Sequence, residues 1–319
     1  MGRIVFSLVF LLLSFTQLCA QDSISFSRCD QLPDDIPLLS GYHFYVFGEM
    51  HDEPQTMSAR LGLIKYLNEK EGINEVFLEI GKGAAWLYNQ YLQTGDTTWV
   101  TSPKLVFYRK AEDKTFWHEL YEYNKTCKNK LTISGFDFER LELLKFLQFQ
   151  KVTHNYPDAI RATMSFLDTE KVADVNSDTL AKVVQRFKGD LEKNDADYRN
   201  VFGPNYPLVC AALHNQVSFE HYNNRDSDIY YNLDIAKREQ SNSKFVMFIG
   251  RNHIIDKKAT RNLGTVLEMN PGVFLCVEDV AKKPRSNGDF QFHGNSKRVR
   301  KKAHGRETST RATFYLKSN

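Results

Sequence analysis

The chain has 319 residues, of which 42% are apolar, 13% aromatic and 25% charged. This composition supplies enough apolar side chains for a large core and excludes collagen-like, coiled-coil and wholly disordered chains. The net charge of +3 conceals a split: residues 282–319 contain 11 basic and 2 acidic residues, whereas residues 21–281 contain 30 basic and 37 acidic ones. The sequence therefore predicts an acidic globular body followed by a basic tail.

The first twenty residues have the pattern of a secretory signal peptide. Arg3 precedes an apolar stretch over residues 4–15, and a cleavage-site segment with small residues ends at Ala20, before Gln21. The stretch is too short to cross a bilayer comfortably. We expect cleavage before Gln21, and hence a secreted or periplasmic protein without a membrane span. A lipoprotein anchored through Cys19 is disfavoured because Leu18 is bulky where such signals have a small residue.

Four cysteines remain after Cys19 is removed: Cys29, Cys127, Cys210 and Cys276. In an oxidising compartment they could form two disulfides with three possible connectivities. The alternative for Cys210 and Cys276 is a buried free thiol, because both lie in apolar runs. The sequence leaves the pairing open.

Short apolar runs alternate with helical segments in the first half of the body and return after residue 243. We predict strands over residues 42–47, 75–78, 131–134, 244–249 and 273–277. We predict helices over residues 55–70, from about 84 onward, and over 113–125. Near-continuous apolar strands alternating with helices favour an α/β fold with a mostly parallel central sheet flanked by helices.

The strand pattern is absent from about residue 140 to 243. We predict a helical insertion there, with helices near 178–194, 207–224 and 225–240, inside one α/β domain that spans residues 21–281. The basic segment 282–319 has few large apolar residues and many Lys, Arg, Ser and Gly. We expect it to be a flexible, solvated tail rather than a nucleic-acid-binding element.

Charged or imidazole side chains follow four of the predicted strands. Glu49 and His51 follow the first strand, Glu79 the second, Asp137 with Glu139 the third, and His253 the fourth. In open parallel sheets, ligands bind in the crevice at the carboxyl ends of the strands. Each residue has a simpler alternative, a helix cap for an acid or a core imidazole for His253. Their recurrence at four strand ends nevertheless predicts a functional site.

Several common catalytic motifs are absent from the sequence. It contains neither G-x-S-x-G nor H-E-x-x-H, and neither of the glycine-rich phosphate loops. A serine nucleophile, a zincin-type metal site and a nucleotide-phosphate cradle of these kinds are therefore not predicted.

Five short motifs occur in a fixed order along the body. They are Gly48-Glu49-x-His51, Leu78-Glu79-Ile80, Gly135-Phe136-Asp137, Asn224-Arg225-Asp226 followed by Asn232, and Gly250-x-Asn252-His253. In this order, and with Trp117 before the third strand, they resemble the erythromycin esterase-like superfamily. That group includes the ChaN-type haem-binding lipoproteins and is related to the TraB/TIKI proteins. The resemblance covers residues 42–278.

The resemblance implies a role for each of five residues. His51 corresponds to the general base that activates water, and Glu79 to a carboxylate that orients or polarises it. Glu49 belongs to the same first loop, and His253 closes the site. Arg225 is implied to face the substrate or its developing oxyanion, for which a fixed cation supplies electrostatic stabilisation.

The resemblance also implies that Asp137, Asn252 and Trp117 bind the substrate. One residue separates Glu49 from His51 where the esterases usually have two, so this segment is closer to the ChaN-type version. A macrolide substrate is therefore not implied, even where hydrolytic chemistry is retained.

The function implied is a secreted hydrolase that cleaves an ester, lactone or related bond by direct attack of water. Two alternatives stay open. In one, Glu49, His51 and His253 hold a divalent metal, as in a TIKI-like metal-dependent hydrolase; in the other, the protein binds haem or iron in the ChaN manner. We expect a small-molecule substrate and no nucleic acid, while the sequence leaves the substrate's identity and the oligomeric state open.

Overall fold

A computed structural model describes thirteen parts of the chain. They are residues 22–26, 44–49, 54–101, 110–169, 175–215, 225, 228–229, 231–233, 244–250, 253, 273–279, 290–297 and 310–318. The signal-like segment 1–20 with its cleavage site, Cys19, Cys29, His51 and Asn252 lie outside these described residues.

In the described ranges, eight strands form one sheet. The strands are β1 (Asp22–Phe26), β2 (Phe44–Glu49), β3 (Glu75–Leu78), β4 (Thr132–Gly135), β5 (Phe245–Gly250), β6 (Val273–Asp279), β7 (Phe290–Lys297) and β8 (Thr310–Ser318). Their order across the sheet is β1-β7-β8-β6-β2-β5-β3-β4. All pairs from β8 to β4 are parallel, and only β1–β7 and β7–β8 are antiparallel. The predicted α/β fold with a mostly parallel sheet is confirmed.

Helices follow β2, β3 and β4, as the alternation of patterns predicts. They are α1 (Pro54–Glu71), α2 (Lys82–Thr94), α3 (Ala111–Thr126), α4 (Glu142–Gln150), α5 (Asp158–Leu167), α6 (Ser177–Lys193), α7 (Asp195–Phe202) and α8 (Tyr206–His214). Residues 225, 228–229 and 231–233 are also helical. Among the helices that can be described, none is long and apolar enough to cross a membrane.

Both faces of the central strands are buried, which explains why their sequences are apolar almost throughout. Phe47 of β2 and Phe248 of β5 stack on one face, with ring centroids 5.3 Å apart. The alternate residues of the same strands point to the opposite face, where Met247 packs in a second cluster together with Ile229 and Leu233. The helical segment that contains Arg225 therefore covers one face of the sheet, while α1 to α3 contribute to the larger core on the other.

The basic tail differs from the flexible extension that its composition led us to expect. Residues 290–297 form β7 and residues 310–318 form β8, and β8 lies between β7 and β6 in the sheet. Apolar and polar residues alternate at Phe290 and Phe292, and again at Ala312, Phe314 and Leu316. This period of two is typical of strands, but the many charges of the surrounding tail obscure it.

Two of the four candidate cysteines can be assigned. Cys127 and Cys210 are free thiols. Cys276 lies in β6, whose backbone alone is described. A disulfide between Cys127 and Cys210 is therefore not part of the fold.

The end of β4 touches the turn between β3 and α2 through backbone atoms. A Cβ atom added to Gly135 would lie 2.3 Å from the carbonyl oxygen of Gly81 and 2.6 Å from that of Ile80. The Asp137 amide donates to the same Ile80 carbonyl at 3.0 Å. This contact places the residues after β3 beside those after β4, so Gly135 is required for the arrangement of the sheet edge.

We predict that Gly135→Ala destabilises the protein by about 1–3 kcal/mol or more, because the new methyl group meets backbone that cannot move aside alone. Gly189→Ala is the matched control, since a Cβ there meets nothing within 4 Å inside α6. Alanine is the better helix former, so the control should be neutral or more stable than the wild type. Urea denaturation measures both; equal stabilities for the two variants would contradict the backbone contact.

Candidate active site

Three carboxylates lie at the carboxyl edge of the parallel part of the sheet. Glu49 ends β2, Glu79 follows β3, and Asp137 follows β4. Each is at most 6% exposed. A buried carboxylate is costly unless a charged or hydrogen-bonding partner compensates for the lost water. The partners of these three groups therefore define the site.

Arg225 joins two of the three carboxylates. Its Nε donates to Asp137 Oδ1 at 3.1 Å, and its Nη2 donates to Asp137 Oδ2 at 2.7 Å and also to Glu79 Oε1. Burial alone would lower the pKa of Arg225, but the hydrogen bonds and charges of Asp137 and Glu79 outweigh it and raise the pKa above its usual value. The guanidinium therefore stays charged and acts as a fixed bridge between two strand ends.

Glu79 is held on both of its oxygens. Oε1 accepts from Arg225, and Oε2 accepts from the backbone amide of Gly250 at 2.6 Å. Gly250 ends β5, the strand beside β3. Glu79 is thus fixed between the ends of two neighbouring strands, in one orientation.

His253 completes the cluster from the segment that follows β5. Its Nε2 lies 3.4 Å from Arg225 Nη1 and 3.6 Å from Glu79 Oε1. Nε2 therefore lies between a guanidinium, which can only donate, and a carboxylate, which can only accept. A hydrogen bond from Arg225 requires Nε2 without a proton, whereas an ion pair with Glu79 requires Nε2 with one.

Glu49 forms a separate buried ion pair with Arg60 of α1. Arg60 Nε donates to Glu49 Oε1 at 2.9 Å and Nη2 donates to Oε2. The guanidinium lies against the rings of Phe116 and Phe248, at 5.4 and 5.5 Å from their centroids. In the β2–β5 register Glu49 is opposite Gly250, so this pair lies next to the Glu79 carboxylate.

Two asparagines fix the backbone that carries Asp137. Asn215, directly after α8, donates to the Asp137 carbonyl at 2.6 Å. Asn232 donates to the Phe136 carbonyl at 3.1 Å and to the Asn215 side-chain oxygen. Asn232 lies seven residues after Arg225, and both residues are helical, a spacing typical of side chains on one helix face. The guanidinium of Arg225 and the amide of Asn232 both contact the loop after β4.

Glu139 lies in the same loop, two residues after Asp137, and its side chain is buried. Its carboxyl group accepts from the Gly83 amide at 3.0 Å, at the start of α2, and it contacts Gly81 so closely that a Cβ there would lie 2.3 Å from Oε2. Burial raises the pKa of Glu139 to about 8, with a further increase from Glu142, although hydrogen bonds from Gly83 and Asn215 oppose the rise. Glu139 is therefore protonated at neutral pH.

The structure brings four of the predicted site residues into one cluster: Glu79, Asp137, Arg225 and His253. Trp117, for which we predict substrate binding, is 1% exposed, and its ring stacks on Tyr88 with centroids 4.0 Å apart. His51 and Asn252 lie outside the described residues, so their roles stay predictions.

Two of the three predicted metal ligands, Glu49 and His253, are described, whereas His51 is not, so the metal-dependent alternative stays a prediction. Both Glu49 oxygens accept from Arg60, and His253 Nε2 faces Arg225. No group of three or more His, Cys, Asp or Glu side chains suited to a metal occurs among the residues that the structure describes.

Sequence reasoning missed Arg60 and Asn215 as parts of the site. Arg60 had a usable signal, since it is a single charge in the middle of an apolar helix segment, between Ala59 and Leu61. A charge in that position must either reach solvent or find a buried partner. Asn215 had no such signal, because its role depends entirely on contacts with residues distant in the sequence.

Comparison with solved structures relates this fold to known proteins. The erythromycin esterase EreC, as a His-to-Asn variant in an open conformation, matches with a TM-score of 0.50 at 14% identity, over 87% of this chain and 77% of that chain. A protein from Bacillus cereus matches with a TM-score of 0.51 at 10% identity, over 88% and 90% of the two chains. ChaN of Campylobacter jejuni, in a structure titled for cofacial haem binding, reaches a TM-score of only 0.36, too low to carry an argument.

These matches define the class of fold. The chain has the erythromycin esterase-like fold, and the resemblance that the five motifs predict is confirmed at that level. At 10–14% identity the likeness shows the fold alone. No protein-family model matches the sequence, and no curated protein matches it.

We predict that Glu139→Gln stabilises the protein increasingly as the pH rises. The unfolded chain releases the Glu139 proton near the model-compound pKa of 4.5, whereas the folded protein retains it up to about pH 8. Between these values unfolding releases a proton, so a rising pH favours the unfolded state of the wild type. Glutamine cannot ionise and keeps an acceptor for the Gly83 amide.

The melting temperature of Glu139→Gln relative to wild type should therefore increase from pH 5 to pH 8 and level off above it. Glu122→Gln is the matched control, because Glu122 is exposed and its side chain pairs with Lys125 at the surface. A pH-independent difference for Glu139→Gln would show that the folded protein does not retain this proton.

We predict that Arg60→Ala destabilises the protein by roughly 3–5 kcal/mol, because it leaves Glu49 buried without its cation. The double variant Glu49→Leu/Arg60→Met should recover most of this loss, since no unpaired charge stays in the core. Arg199→Ala, which breaks an exposed pair with Asp195, is the control and should change stability little. A double variant no more stable than Arg60→Ala in urea denaturation would contradict the proposed pairing.

Proposed function

We propose that this protein is an exported hydrolase that cleaves an ester or lactone bond by direct attack of water. The observation that carries the proposal is the convergence of Glu79, Asp137, Arg225 and His253 on one edge of a parallel sheet. Ligands bind at such edges in open α/β sheets. The export part of the proposal rests on the signal-like segment at residues 1–20.

In the proposed reaction, His51 accepts a proton from water as the water oxygen attacks the carbonyl carbon. The carbonyl π electrons move to the oxygen, giving a tetrahedral intermediate. When this collapses, the C–O bond to the leaving group breaks, and the proton held by His51 passes to the departing alkoxide. No covalent bond to the protein forms, which agrees with a sequence that lacks a serine nucleophile motif.

Arg225 acts in this proposal as a positioning residue. Its Nε and Nη2 are used by Asp137 and Glu79, and only 13% of its side chain is exposed. The guanidinium is therefore fixed by its partners and has little freedom to move towards an oxyanion that develops on the substrate. Its effect on the reaction is to hold the Glu79 carboxylate in place.

His253 is the group in the described cluster best suited to bind the developing oxyanion. An imidazole ring can donate a hydrogen bond from a protonated nitrogen, and 18% of the His253 side chain is exposed. A preorganised donor of this kind is worth most where charge develops in the transition state.

We predict that His51→Ala lowers kcat on a hydrolysable activated ester by about 10²–10⁴-fold, the usual contribution of general base catalysis.

His253→Ala should also lower kcat, with a smaller effect on KM, because oxyanion binding is expressed in the transition state. His118→Ala is the matched control, since His118 is exposed on α3. All three variants should keep a melting temperature within a few degrees of the wild type. Rates on a panel of p-nitrophenyl esters and simple lactones provide the measurement.

Retention of full activity by His51→Ala would overturn the proposed base. Loss of wild-type activity on chelation, restored by a divalent cation, would favour the metal-dependent alternative. A Soret shift with haemin, in the absence of any esterase or lactonase activity, would replace the hydrolase proposal by the haem-binding one.

A further inference from the structure

Two arginines contact the buried Asp137 carboxylate. They differ in the number of hydrogen bonds that they donate to it and in the exposure of their side chains. Arg225 makes two hydrogen bonds to Asp137, and its side chain is 13% exposed. Arg140 makes a single contact, from Nη2 to Oδ2 at 3.3 Å, and its side chain is 34% exposed. Arg140 is thus the guanidinium at this cluster that retains an accessible surface.

The position of Arg140 is nevertheless constrained. Its guanidinium lies against the ring of Phe138, 5.0 Å from the centroid, and Arg225 lies 5.3 Å from the same ring. The Arg140 Nε is shielded from solvent and has no hydrogen-bond partner among the described residues. Asp137 and Phe138 therefore hold the guanidinium, while about a third of the Arg140 side chain stays exposed.

Arg140 also balances the charge of this cluster. Glu79 and Asp137 share the single positive charge of Arg225, and Arg140 brings the sum of these four groups to zero. A carboxylate that binds to the exposed face of Arg140 does so without displacing Arg225 from its partners. Arginine binds carboxylates through two parallel N–H donors, which fixes the orientation of the bound group.

We propose that Arg140 binds a carboxylate of the substrate, so that this protein prefers esters or lactones that carry a free carboxylate over neutral ones. The inference rests on the proposed function, since it assigns a substrate class to that same site. It also gives Phe138 a role. Its ring lies against the Arg140 guanidinium and restricts the orientation of the guanidinium plane, which in turn restricts the direction from which the anion approaches.

Two esters of matched length test the proposal: p-nitrophenyl butyrate, which is neutral, and mono-p-nitrophenyl succinate, which carries a carboxylate at the corresponding end. The wild type should show the higher kcat/KM on the succinate. Arg140→Ala should lower kcat/KM on the succinate by about 10–100-fold, the usual range for a hydrogen bond to a charged group, mainly through KM. On the butyrate kcat/KM should fall clearly less, because there the variant removes only the contacts of Arg140 with Asp137 and Phe138 and no carboxylate binding.

Arg140→Lys provides a second variant that keeps the charge and loses the two-donor geometry. Its kcat/KM on the succinate should lie between those of the wild type and Arg140→Ala. Arg161→Ala is the matched control, because it removes the same charge from an exposed pair with Asp158 on α5. It should change neither ester.

Equal effects of Arg140→Ala on the two esters, or none on the succinate, would overturn the inference while leaving the hydrolase proposal intact. If the wild type hydrolyses neither ester, the hydrolase proposal loses its support, and carboxylate binding is measured directly with monomethyl succinate. An increase in melting temperature for the wild type but not for Arg140→Ala supports the inference, and the absence of any increase in the wild type overturns it.

Discussion

The whole candidate site depends on one requirement, that carboxylates removed from water have cations beside them. Glu49 is compensated by Arg60, and Glu79 and Asp137 are compensated together by Arg225. Because both guanidiniums come from helices, the requirement also determines which helices must pack against the ends of the strands. The same ion pairs therefore compensate the buried charges of the site and attach these helices to the ends of the strands.

In this arrangement, the residues that fix the structure of the site differ from those that keep an accessible surface. Arg225 and the two asparagines fix the loop after β4 through its side chain and its carbonyl groups, and Glu139 is buried in the same loop. The groups that keep an accessible surface are His253 and Arg140, at the border of the cluster. Rigid support around a few accessible groups is the condition for a preorganised site, and it explains why so many polar residues are buried in one region.

The sequence predicted the sheet and its polar edge because both depend on local pattern. Apolar runs locate β2 to β6, and the parallel arrangement then places Glu79, Asp137 and His253 at one edge. The pairing of charges could not be predicted in the same way, since Arg225 lies 146 residues from Glu79 and 88 from Asp137. Likewise, β7 and β8 have the alternation of strands, but the high charge of the tail outweighed that pattern in the prediction. Residues whose role is set by a distant partner, such as Asn215, carry no local sign of it.

The pairing of β1 with β7 has a consequence for how the chain is assembled. Asp22 lies opposite Gly294, and β7 is joined to β6 only through β8. During synthesis, β1 therefore leaves the ribosome early, whereas its neighbour follows 272 residues later, as the distance from Asp22 to Gly294 shows. In the meantime β1 and the outer side of β6 expose unpaired backbone groups, which are templates for pairing with other chains. Completion of this edge is consequently a late event, governed by contacts of very high sequence separation.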